Sequence, residues 1–125
     1  MNISRKEKSP HYRRPGGIAS YLLASPRTSN SRFLTTTLVE IQPGGEQRVH
    51  QHNPEQVYYV LGGRGLIIVA DEKAEVGPGD CIFIPSGALH GLKNNGKELL
   101  RYFSAAAPAF KKEELESFWP LKGKT

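Results

Sequence analysis

Between Gly17 and Phe103, short apolar runs alternate with clusters of Gly, Pro, Asn and Asp. Punctuation recurring every roughly 8–12 residues leaves no room for long helices and predicts an all-β sandwich or barrel. The strands it marks out are Ile18–Leu23, Phe33–Ile41, Gln47–His52, Gln56–Leu61, Leu66–Ala70, Cys81–Ile84, Leu89–Leu92 and Glu98–Phe103. The separators lie at 25–31, 43–45, 53–54, 62–65, 71–75, 77–80, 85–87 and 94–96. The last carries Asn95-Gly96, which supplies the positive φ angles a tight hairpin needs. After Phe103 the pattern changes. Leu115, Phe118 and Trp119 stand at i, i+3 and i+4, one apolar stripe on a short helix that Pro120 ends.

A chain of 125 residues has room for one domain. The pattern divides it into a basic, flexible N-terminal arm (1–16), a β body (17–109) and a C-terminal helix and tail (110–125). The net charge of +5 is mostly the arm's: residues 1–14 hold Arg5, Lys6, Lys8, Arg13 and Arg14 against Glu7. The body has nearly equal numbers of basic and acidic side chains, which argues for a solvated arm rather than a nucleic-acid surface. A single cysteine, Cys81, excludes a disulfide framework or a cysteine zinc cluster within the chain, and it reads as a small buried hydrophobe. No apolar run approaches the roughly 18 residues of a membrane span, and Met1–Pro10 is too polar for a secretory signal. A soluble, cytoplasmic protein with no membrane contact is the expectation.

The chemistry gathers on histidines. His50 and His52 are one residue apart, and on a strand such residues point to one face, so both rings can reach one ion. If they face inward, Arg48 does too; a guanidinium beside a dication favours a carboxylate, phosphate or enolate, whereas at a barrel mouth it would reach solvent. If Gln56 faces inward, so do Tyr58 and Val60, and Tyr58 either donates a proton or hydrogen bond or simply packs. One of Arg101 and Tyr102 must point in. His11 belongs to the arm and reads as exposed, and Asn94 as a turn residue. The run Gly62-Gly63-Arg64-Gly65 joins two strands and lacks the following helix of a phosphate loop.

The segment from Gly44 to Gly63, with His50-Gln51-His52 and Gln56 between, resembles the first motif of the cupin superfamily. Gly79, Pro85, Gly87, His90 and Asn94 match the second motif, and together the two cover roughly residues 33–104. The resemblance implies a double-stranded β-helix, a jelly-roll barrel around one divalent ion (Fe, Mn, Zn or Ni). His50, His52 and His90 map onto the family's histidine ligands, and Gln56 stands where the family usually has Glu. A neutral amide leaves the full +2 charge on the site, lowering affinity and raising Lewis acidity. Gln56 either ligates the ion, stands off it to hydrogen-bond a water or substrate, or yields its place to Glu55. The functions implied are an oxygenase of a small organic acid, diketone or aromatic; a non-redox isomerase, cyclase or lyase; or a binding module without turnover. In the catalytic readings Arg48 steadies an anionic substrate and Tyr58 or a water on the ion moves protons. Family barrels commonly dimerise, and Ile18–Leu23 with Phe118-Trp119 offers apolar surface for a homodimer.

Overall fold

The computed structural model describes residues 1–111, 113–115 and 119. Among these residues ten strands follow in chain order: β1 (His11–Arg14), β2 (Ile18–Leu22), β3 (Thr35–Ile41), β4 (Glu46–His50), β5 (Glu55–Gly62), β6 (Gly65–Val69), β7 (Glu72–Val76), β8 (Cys81–Ile84), β9 (His90–Lys93) and β10 (Leu100–Ala107). They form two antiparallel sheets, one ordered β1-β2-β3-β10-β5-β8 and the other β4-β9-β6-β7. The inner faces share one core, in which Ile41, Val60, Leu100 and Tyr102 of the larger sheet meet Ile67 and Leu92 of the smaller. This is the expected jelly roll. Among the described residues no helix is long and apolar enough to cross a membrane.

Register decides where the core stops. On β10 the inward residues run Leu100, Tyr102, Ser104, Ala106, with Ile41, Val39, Thr37 and Thr35 of β3 as their partners. On the other side of β10, Tyr102 lies opposite Val60, Ser104 opposite Tyr58 and Ala106 opposite Gln56. The inner surface therefore passes in step across three strands from aliphatic, through aromatic, to polar. Closely packed apolar side chains fill one end, and polar groups are free to line an opening at the other.

Several expectations need correction. The N-terminal arm is not free: β1 pairs residue for residue with β2, and Lys6 Nζ sits 3.0 Å from Glu40 Oε2. A basic segment can do this because β1 is an edge strand, where charged side chains reach water while the backbone pairs. The separator at 71–75 contains most of β7, also an edge strand and exposed at Glu72, Lys73, Ala74 and Glu75. Within the 25–31 separator, α1 (Pro26–Ser29) is one turn, capped by Ser25 Oγ accepting from Thr28 N at 3.1 Å. Cys81 is exposed on edge strand β8, because its neighbours Ile82 and Ile84 take the inward positions.

The residues at 113–115 are helical, and Trp119 N donates to Leu115 O at 2.9 Å. Leu115 and Trp119 pack on Leu22 with Tyr12 and Phe110. Phe118 lies outside the described residues. The described part of the surface expected to serve a dimer is thus consumed inside the chain: β2 is buried along its whole length between β1 and β3. Gly63, between β5 and β6, has φ 77°, and a Cβ there would meet Leu99 O and lie 2.7 Å from Leu100 Cα. Gly63→Ala should cost at least about 2 kcal/mol, combining left-handed strain with backbone overlap, and a lower urea midpoint with unchanged m-value would register it.

Candidate metal centre

His50 ends β4, His52 follows two residues later, and His90 opens β9 directly across from His50. One ring nitrogen from each lies within 4.8 Å of the others. The ring centroids are 4.2 Å apart for His50 and His90, and 4.8 Å for His52 and His90. Each ring is fixed in the same way. Nδ1 of His50 donates to Arg48 O at 2.8 Å, that of His52 to Pro54 O at 2.9 Å and that of His90 to Ala88 O at 2.9 Å. A carbonyl can only accept, so in each neutral ring the proton sits on Nδ1 and Nε2 carries a lone pair. Backbone bonds of this kind are the outer support that sets ring orientation in metal sites.

His90 Nε2 is buried and has no hydrogen-bond partner among the described residues. An isolated acceptor in this position costs free energy unless something electrophilic meets it. Gln56 adds a second sign. Its Oε1 lies 2.9 Å from His52 Nε2, and its Nε2 donates to Ser104 Oγ at 3.2 Å. Ser104 Oγ is in turn 2.6 Å from Thr37 Oγ1. The amide hydrogens are thereby turned away, so two acceptor lone pairs face each other across 2.9 Å. Two donors bound at right angles to one ion at about 2.1 Å would be about 3 Å apart. These residues fit a divalent ion held by three imidazoles and an amide oxygen. Glu55 is exposed on the other face of β5, as the alternation of a strand requires.

Burial lowers the His90 pKa to about 4, reinforced by the charges His50 and His52 would carry and opposed by the Ala88 carbonyl. Burial also lowers that of His50. The sign follows from linkage: the unfolded chain takes up protons near its ordinary value of about 6.5, whereas the folded metal-free chain refuses them until lower pH. Stability from this source is therefore complete above about pH 6.5 and is lost as pH falls toward 4. Urea midpoints of the metal-stripped protein should decline across that window and be flat on this account above it.

A cavity of about 560 Å³ opens beside the cluster. Tyr58 and Tyr102 form its floor, with rings 4.3 Å apart, and burial pushes both phenols above their ordinary range. They stay protonated and can donate hydrogen bonds. Tyr102 is the inward member of its pair, while Arg101 faces out and its Nε donates to Glu40 Oε2 at 3.1 Å. Arg48 lines the cavity yet is exposed, which places it at the mouth; the register of β4 shifts between Gln47 and His50, so simple alternation does not carry through. His11, on β1, is partly exposed and stacks near Tyr21 at 5.6 Å, outside the cluster. Asn94 is buried at the turn after β9, donating to Ile41 O and Glu98 O, both at 2.8 Å.

Sequence reasoning missed much of the cavity wall, Tyr12, Arg14, Thr37, Ser104, Phe110 and Trp119 among it. Only for Thr37 and Ser104 was there a signal, a hydroxyl amid the apolar residues of a strand. The others come from terminal segments that nothing local ties to the barrel.

The cupin domain model matches residues 37–105 of this chain. An uncharacterized protein of Methanocaldococcus jannaschii is 36% identical over 74 residues, spanning 58% of this chain and 59% of that relative. An oxalate-binding protein of Thermotoga maritima is 27% identical over 90 residues, or 71% of this chain and 74% of that one. Among solved structures, an RmlC-like cupin from Shewanella frigidimarina superposes with TM-score 0.77 at 22% identity, covering 90% of this chain and 96% of its own.

Proposed function

We propose that this chain, which belongs to the cupin family, is a small-molecule metalloenzyme that holds one divalent ion through His50, His52, His90 and Gln56. The observation that carries the reading is the buried, unpartnered Nε2 of His90 beside two further imidazoles whose protons are likewise held on Nδ1. When bound, such an ion supplies Lewis acidity and, as Fe or Mn, redox chemistry toward dioxygen. The chain's own residues do the rest. Arg48 at the mouth attracts a carboxylate or enolate. Tyr58 and Tyr102, whose hydroxyls hydrogen-bond each other, stay protonated and between them leave one hydrogen-bond donor, and the apolar barrel end excludes water from behind the site.

The first reading is an oxygenase acting on a small organic acid, diketone or aromatic. The second, a non-redox isomerase, cyclase or lyase, is favoured by Gln56, because four neutral donors leave the ion's charge uncompensated. We place the protein in the reducing cytoplasm as a homodimer. The outer face of the larger sheet offers a surface for the dimer, with Tyr59, Leu61 and Phe83 standing exposed. Elemental analysis of untagged protein, with its mass by light scattering, should find one equivalent of metal per chain. Oxygen-uptake assays with diketones, thiols and phenolic acids then divide the readings. Iron with substrate-dependent uptake supports the oxygenase, metal without uptake moves the reading to non-redox catalysis, and absence of retained metal leaves a ligand-binding module.

A further inference from the structure

The cavity is larger and more aromatic than a small acid requires. At about 560 Å³ it lies within the roughly 300–1,000 Å³ of pockets that enclose drug-sized molecules. One wall is a sequence of rings leading outward from the histidines. Phe110 meets His52 edge-on at 5.2 Å, Trp119 lies 6.3 Å from Phe110, and Tyr12 lies 5.6 Å from Trp119. The Arg14 guanidinium sits 4.5 Å from the Tyr12 ring and continues the stacking surface. The wall is anchored: Phe110 N donates to Thr35 Oγ1 at 3.0 Å, Trp119 Nε1 to Ser20 Oγ at 3.1 Å, and Arg27 to the carbonyls of Leu115 and Trp119. Rings held in place by buried and partly buried polar bonds present a stacking platform that need not be ordered when a ligand arrives.

We infer that the ligand of this site is an aromatic carboxylate, its acid group between the histidine cluster and Arg48 and its ring system along the Phe110–Trp119–Tyr12 wall. Glu46 and Glu114 also line the cavity, so a molecule with negative charge spread along its length would be repelled, and one anionic group on an uncharged aromatic body fits. This rests on the metalloenzyme reading for the acid end and on the wall alone for the body.

The test is calorimetric titration of the full chain, zinc-loaded and metal-stripped, with naphthoate, acetate and neutral naphthylmethanol. Naphthoate should bind zinc-loaded protein at least about 100-fold more tightly than acetate, the difference reflecting burial of the rings. Naphthylmethanol should fall between them. Phe110→Leu, and independently Tyr12→Leu, should weaken naphthoate about tenfold and leave acetate unchanged, with zinc content and circular dichroism as in the parent. Affinities for naphthoate and acetate within threefold of each other, or naphthoate binding indifferent to both substitutions, would overturn the inference. If the chain retains no zinc, the metal reading fails by itself, and naphthoate binding to stripped protein, sensitive to Phe110→Leu or not, still decides the aromatic wall.

Discussion

His52→Ala should leave a folded protein that no longer retains metal. The ring removed is one of three imidazoles presenting lone pairs to one point, and Gln56 Oε1 loses the partner 2.9 Å away. Loss of outer partners of metal ligands alone costs 10–100-fold in affinity, so loss of a ligand should cost about a thousandfold or more. His52 is partly exposed and lies beyond the end of β4, so its truncation leaves the sheets untouched. Metal content after dialysis against a weak chelator, read beside the thermal midpoint, checks both halves. Stoichiometric metal in this variant would remove the histidine cluster as the centre.

Gln56→Glu should act in the opposite direction, tightening metal about tenfold to a hundredfold. A carboxylate adds a negative charge to an otherwise neutral donor set, and ligand charge is a main control on cation affinity. The surroundings can accept it. Ser104 Oγ now receives a hydrogen bond from the Gln56 amide, and either hydroxyl of the Thr37–Ser104 pair can be the donor. Reversing that pair lets Ser104 donate to the carboxylate while Thr37 donates to Ser104, with no atom displaced. Competition with a fluorescent chelator measures the change. Equal or weaker retention would mean that Gln56 stands off the ion. The same variant should lose Lewis acidity, so a non-redox activity would slow even as metal is held more firmly.

The comparison of the two substitutions also separates support from ligation. Ser104 and Thr37 carry no charge, yet Ser104 Oγ receives the Gln56 amide hydrogen and so supports the orientation in which the amide oxygen faces His52. Had the amide been turned the other way, its hydrogens would satisfy His52 Nε2 and leave no acceptor pair there for a cation. The hydroxyl pair is buried at the inner surface of two adjacent strands, in the cavity wall.

Much of this was legible in the residues themselves. Spacing of turn formers marks out a β body because positive-φ and proline positions are local properties, readable without knowing what packs where. The His50-X-His52 pair declares a shared direction because strand side chains repeat every two residues. The cupin resemblance extended this to His90 and Gln56, nearly forty residues apart in the chain for the two histidine segments. What only tertiary structure decided is what long-range pairing controls. Edge strands β1 and β7 escape hydrophobic pattern because one side of each is wet, so a charged sequence there resembles a loop. The register shift in β4 moved Arg48 to the mouth, since alternation fails where two strands fall out of step. The aromatic wall joins Tyr12 to Trp119, residues at opposite ends of the chain, and no periodicity links positions whose contact exists only after the barrel between them has closed.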